Sequence, residues 1–158
     1  MNLPAVLLVT LLAVAVPRIA FAADCPAAPA ALVDSIQSHI HALEAAEDCD
    51  ARRVKEENGL AVVIYTAEGA CAQTDPGATP GSCSNNWVRY MVAMSGSRIT
   101  SPVQVGGKGG LTDTSVRFRN GTIEVVGLSV GPSDAMCCPS VHETKRFRIV
   151  GSSLRELR

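Results

Sequence analysis

Two groups of side chains in this 158-residue chain could do chemistry. The first is sulfur. Cysteines stand at positions 25, 49, 71, 83, 137 and 138, and Met136-Cys137-Cys138 followed by His142 gathers soft donors of the kind that hold Cu(I) or zinc. The paired C-x2-C spacing of strong zinc signatures is absent. In an exported chain six cysteines are first a disulfide framework. Metal or thiol redox handling at Cys137, Cys138 and His142 is the alternative. The second group is cationic. Arg117 and Arg119 alternate along one stretch, and Arg146 and Arg148 along another. On one sheet they form a basic face able to hold phosphate, a lipid headgroup, an acidic glycan or an acidic protein. The plainer reading is a solvated outer face with Arg117 paired to Glu124, an exposed pair worth about 0–1 kcal/mol.

Chain geometry ranks the sulfur pairings. Cys71 and Cys83 flank a loop with Pro76, Gly77, Pro80 and Gly81, and form the obvious local bridge. Closing such a loop contributes about 3 kcal/mol in the chain-entropy model. Adjacent α-carbons lie about 3.8 Å apart, below the usual disulfide range, so Cys137 and Cys138 are each expected to pair elsewhere. A straight helix over 30–47 spans about 27 Å, and the chain from 25 to 30 folds back at most about 17 Å. The remaining gap of about 10 Å is too long for one bridge. Cys25 and Cys49 are therefore expected to join Cys137 and Cys138, in either order, pinning helix to sheet.

Other motifs carry less. Gly106-Gly107-Lys108-Gly109-Gly110 fails the phosphate-loop pattern, because Gly109 stands where Ser or Thr is needed. It reads as a surface loop that can still make contacts, which keeps Lys108 beside the arginines as a candidate ligand residue. His39 and His41 are two apart and do not share a helix face, against a metal pair. Asp134 and His142 flank the double cysteine without a matched nucleophile, so no catalytic residue is named; a Ser-His-Asp set assembled only in space stays open. Asn120-Gly121-Thr122 matches the glycosylation sequon, but its setting makes it a hairpin turn.

Periodicity outlines the elements that must position these groups. Leu32, Ile36, Ile40 and Leu43 form one helical stripe, and Ala and Glu are frequent, which predicts a helix over 30–57 with a break at Asp48-Cys49-Asp50 and a stop at Asn58-Gly59. Strands follow at 60–66, at 86–94 and, interrupted by Pro102 and so at an edge, at 99–105. Asn120-Gly121 sits between two alternating runs within 112–130, and a two-residue turn sets Phe118 opposite Ile123 and Arg117 opposite Glu124. Residues 144–150 alternate again, with Phe147 inward and Arg146 and Arg148 outward, and Leu154 and Leu157 mark a last short strand. The fold class is α+β: an N-terminal helix on a mainly antiparallel sheet of five to seven strands.

Residues 5–16 are an unbroken weakly polar to apolar run of 12 residues, short of the roughly 20 needed to span a bilayer. Ala20-Phe21-Ala22 supplies small residues at the −3 and −1 positions, so residues 1–22 are expected to be a signal peptide cleaved after Ala22, although residues 1–4 carry no Lys or Arg. Asp24 precedes Cys25 where a lipidated cysteine takes Gly, Ala or Ser. The expected product, 23–158, is one disulfide-stabilised domain without a membrane span, periplasmic or secreted. It carries 13 Lys and Arg (14 less Arg18) against 15 Asp and Glu, net −2. Residues 24–58 hold eight acids and three bases, whereas 59–158 hold seven acids and ten bases. That split lacks the strongly basic balance of a nucleic-acid binder.

Asp134-Ala135-Met136-Cys137-Cys138-Pro139-Ser140, followed by Thr144 and an alternating strand with Phe147, resembles the C-terminal signature of exported bacterial proteins such as the mycobacterial LppP/LprE-type lipoproteins, over roughly 112–150. The resemblance implies an envelope location, a disulfide role and no established activity. The leading functional expectation is a non-enzymatic envelope protein, without a cofactor, that binds an anionic ligand or an envelope partner. An inhibitor of an external hydrolase such as a lysozyme or protease, presenting Ser95-Gly96-Ser97-Arg98, is the second reading. Metal or thiol handling is the third and an enzyme the last. Intact-mass analysis of the exported protein, alkylated before reduction, is expected to show a chain starting at Ala23 with no alkylated thiol; two labelled thiols at Cys137 and Cys138 would favour the metal reading instead.

Overall fold

Leu32, Ile36 and Ile40 turn one stripe of helix α1 (Ala30–Ala42) onto a sheet, and all three are buried. The computed structural model describes residues 25–71, 77–83 and 85–157; the expected signal peptide, 1–22, lies outside them. Pro29 opens the helix and Leu43 closes it, after which Glu44 takes φ 50° and reverses the chain. The helix therefore ends well before residue 57. Residues expected to continue it form strand β1 (Ala46–Glu57), paired antiparallel with β2 (Leu60–Glu68). Asn58 and Gly59 have φ 52° and 75°. These left-handed values at both central residues suit a primed two-residue turn, so this Asn-Gly joins two strands instead of stopping a helix. Pairing with an apolar partner strand overrides the helical propensity of the Ala and Glu residues.

The first sheet continues with β3 (Trp87–Ser95), and both β4 (Arg98–Ile99) and β5 (Val103–Gly107) pair with it. Pro102 separates the latter two, consistent with its missing N–H donor. The second sheet runs in chain order: β6 (Thr112–Arg119), β7 (Thr122–Ser129), β8 (Val141–Val150) and β9 (Ser153–Leu157). Among the described residues there are nine strands in two sheets, where five to seven in one sheet were expected. The broader α+β, antiparallel expectation stands. The β6–β7 hairpin has the register that its turn dictates, with Arg117 opposite Glu124 and Phe118 opposite Ile123.

The layers are helix, first sheet, second sheet. Strand β2 lies at their centre. Its Val62 and Ile64 pack with Met91, Val105, Ile123, Val125 and Phe147 between the sheets. Its Ala61, Val63, Tyr65 and Ala67 pack with Leu32, Ile36 and Ile40 beneath the helix. Fully burying one such aliphatic or aromatic side chain stabilises by about 1.5–3 kcal/mol.

The disulfides are Cys25–Cys49, Cys71–Cys83 and Cys137–Cys138. The local bridge is as expected; the expected cross-links between the helix and the double cysteine are not formed. The reason is the shorter helix. Reversal at Glu44 brings Cys49 back beside Cys25, with α-carbons 4.5 Å apart. A buried ion pair reinforces this return: Arg52 donates to both carboxylate oxygens of Glu47 at 2.7 Å, and also to the Pro26 carbonyl. No helix among the described residues is long and apolar enough to cross a membrane.

Beneath α1 the Tyr65 hydroxyl lies 2.7 Å from Nδ1 of His39, whose ring meets Tyr90 edge-on at 4.6 Å. Burial pushes the Tyr65 hydroxyl well above its usual range, so it stays protonated and shares its hydrogen bond with a neutral His39, whose tautomer sets the donor. Burial also holds His39 below its ordinary value of 6.5. Below pH 6.5 the unfolded chain then binds more protons than the folded one. The stability contributed by neutral His39 is complete above that pH and is lost as pH falls through the folded value. Thermal melts of the wild type are expected to show a declining midpoint on acidification from pH 6.5, and His39→Gln to flatten that part of the slope.

Candidate functional site

The inner face of the second sheet is occupied by Ile123, Val125, Phe147 and Leu154, so strict alternation sends their neighbours outward. Arg117 lies opposite Glu124, and Glu124 opposite Arg146, placing the three in one row across β6, β7 and β8. Arg148 lies opposite Arg155 across β8 and β9, and Arg119 lies opposite Thr122 on the far side of the same level. The outer face thus brings together all four arginines expected from sequence and adds Arg155. All five are exposed. Arg117 and Arg146 flank β7, which puts their α-carbons about 10 Å apart, and steps of about 7 Å separate Arg117 from Arg119 and Arg146 from Arg148.

Only one carboxylate stands among them. Glu124 is 8% exposed and accepts a 3.1 Å hydrogen bond from Nε of Arg146, not from Arg117, its partner in the plainer reading of a solvated face. Five arginines against Glu124 leave this face with four uncompensated positive charges, in a chain of formal net charge −1. Among the described residues Arg117, Arg119, Arg148 and Arg155 form no ion pair. The direct opposition of Arg148 and Arg155 is unfavourable in a sheet, where like charges across a strand pair repel. A bound anion relieves that repulsion. Arg155 was legible in principle: a two-residue turn at Gly151-Ser152 sets Val150 opposite Ser153 and hence Arg148 opposite Arg155.

Lys108 is not part of this face. It sits in the β5–β6 loop and lines a cleft of about 600 Å³ at one end of the two sheets, with Trp87, Arg89, Asp113 and Met136. Two glycines shape the loop. A side chain at Gly106 would strike the Leu111 carbonyl, and at Gly109 (φ 77°) it would come within 3.1 Å of the Met136 methyl. Sequence reasoning missed the cleft, because β3, the β5–β6 loop, a bulge in β6 and the 130–140 loop converge only after folding.

That last loop explains the D-x-x-C-C-P-S motif physically. The Asp134 carboxylate accepts 2.8 Å hydrogen bonds from the backbone N–H groups of Gly131 and Ser140, and one from the Ser140 hydroxyl. Cys138 N–H donates to the Ala135 carbonyl. The clasp and the Cys137–Cys138 bridge fix a short loop that presents Met136 and Cys137 to the cleft. These bonds, first that from Gly131 and then those from Ser140, hold the Asp134 carboxyl below its ordinary 3.8.

All six cysteine sulfurs are in disulfides, so thiolate ligation at Cys137 and Cys138 would first require reduction. Among the described residues His142 joins no cluster of donor atoms. The one close group, Cys25, Glu47 and Cys49, is already engaged in a disulfide and in the ion pair to Arg52. The Ser95-Gly96-Ser97-Arg98 segment is the tight turn from β3 to β4, with Ser95 opposite Arg98. No protein-family model, curated protein or solved structure matches the chain.

Replacing Asp134 by Ala is expected to open the clasp while leaving the sheets intact. Hydrogen exchange at the Gly131 and Ser140 amides should accelerate, with β7 and β8 amides unchanged. In the wild type the same two amides should keep their protection down through pH 3.8 and lose it only when the depressed carboxyl protonates.

Proposed function

We propose that this chain is an exported, non-enzymatic binding protein whose outer sheet face, built by Arg117, Arg119, Arg146, Arg148 and Arg155, docks an extended anionic partner. The observation that carries the reading is the level at which Arg148 directly opposes Arg155, with no ion pair to either among the described residues. A solvated surface without a binding role gains nothing from two adjacent like charges, whereas a polyanion bridges them with charge-assisted, bidentate hydrogen bonds. The planar guanidinium fork suits carboxylate, sulfate or phosphate groups better than lysine would. The envelope location implied by the resemblance of the 134–140 segment, the expected signal peptide and the three disulfides agree with an extracytoplasmic anionic partner.

Retention on a sulfated dextran matrix at neutral pH tests this. The chain is formally acidic, so retention must come from a local patch. The double variant Arg148→Gln/Arg155→Gln is expected to elute at clearly lower salt than the wild type. Lys55→Gln/Arg98→Gln, which removes the same charge elsewhere, should elute like the wild type. Relief of the like-charge opposition should also leave the arginine variant as stable as the wild type or more stable by about 0.2–1 kcal/mol. Equal losses in the two variants, or no retention of the wild type, would contradict the proposal.

A further inference from the structure

The cleft that holds Lys108 has features the arginine face lacks, and the inference drawn from it does not rest on that face. Its volume, about 600 Å³, lies in the range of small-molecule sites. Trp87 and Met136 give it an apolar wall. The Arg89 guanidinium lies 5.2 Å from the Trp87 ring centroid, and one long 3.4 Å hydrogen bond from its Nε to the Thr66 hydroxyl is its polar tether. Its Nη1 is buried and has no hydrogen-bond partner among the described residues. A cationic donor left in that condition is costly unless something completes it. Lys108, exposed at the rim, adds a second cation.

Among the residues that line the cleft, one acid faces these two cations. Asp113 takes φ 45°, a left-handed value that is uncommon outside glycine, within the irregular stretch of β6 between Thr112 and Ser115. Bulges of this kind re-aim side chains and gather near binding sites. Burial works against the charged form of Arg89, while Asp113 favours it electrostatically; the opposed charges of Arg53 and Asp48 also reach it. Within the lining, two cations against one carboxylate leave a single positive charge for a ligand to neutralise, and Arg53 and Asp48 beyond it offset each other. An ionised carboxylate only accepts hydrogen bonds, so a ligand beside Asp113 must also donate. A monoanion with hydroxyl donors and an apolar ring face to lie on Trp87 and Met136 satisfies all three conditions. We propose that this cleft binds a carboxylated sugar ring, with Lys108 and Arg89 taking the carboxylate, Asp113 taking ring hydroxyls and Trp87 providing the platform.

Trp87 is the single tryptophan of the chain, so its emission reports on this cleft alone. Titrating the disulfide-bonded exported protein with methyl galacturonoside, which carries one carboxylate, is expected to give a saturable change in tryptophan emission, and neutral methyl galactoside should give none. Lys108→Ala, a change at an exposed loop position, should weaken the response about tenfold or more. Arg148→Gln/Arg155→Gln should leave it unchanged, which separates failure of this site from failure of the arginine face. A response to benzoate equal to that for the galacturonoside would overturn the sugar assignment. No saturable response to the galacturonoside, or one that Lys108→Ala leaves intact, would overturn the site.

Discussion

Burial of β2 on both faces is the constraint on which the rest of the structure depends. Residues 61–67 are all buried, and successive side chains serve opposite layers. A strand of this kind cannot sit at a solvated surface, so the chain must provide a cover for each side. Helix α1 covers one face with a narrow aliphatic stripe. The second sheet covers the other with Ile123, Val125 and Phe147. Aromatic residues are only 4% of the sequence, so aliphatic area does most of this work, and the disulfides secure the ends that the core does not reach.

The charge distribution follows from those layers. A sheet that spends one face on the core has its other face free, and solvent requires that face to be polar. Polarity alone does not require arginine in five places around one glutamate. The acidic residues of the chain are concentrated instead before residue 59, on α1, β1 and their links, so the molecule is polarised while its net charge stays near zero. Such polarisation steers anions to one surface without making the whole protein basic. The cleft at the end of the sheets is built by different means: glycines that permit close approach, a bulge that redirects Asp113, and a loop clasped by Asp134.

Much of this was legible in the residues. The stripe Leu32, Ile36, Ile40, the Asn120-Gly121 hairpin and its register, the interruption at Pro102 and the alternation that puts Arg117 with Arg119 and Arg146 with Arg148 all follow from local rules; that the two pairs share one face depends on β7 pairing with β8. The misreading at 46–57 came from applying one such rule and not another. Asn58-Gly59 has the same chemistry and the same left-handed angles as Asn120-Gly121, but it follows a segment rich in Ala and Glu, whose propensity for helix is overridden by pairing with β2. The error in helix length then carried into the sulfur pairing, because the distance from Cys25 to Cys49 was reckoned along a helix that does not continue. The division into two sheets and the cleft were not legible. Both depend on residues far apart in sequence coming together, as Trp87, Lys108 and Met136 do around the cleft.

The central claim is that an acidic chain presents one anion-binding sheet face. Its most direct measurement is a nuclear magnetic resonance titration of the arginine side-chain Nε–H signals with a sulfated oligosaccharide. The account predicts that shifts concentrate on Arg119, Arg148 and Arg155, with smaller ones at Arg117 and Arg146 and none at Arg52 or Arg98, and that added salt reverses them. Shifts spread evenly over all arginines, or absent from the Arg148 and Arg155 pair, would contradict it.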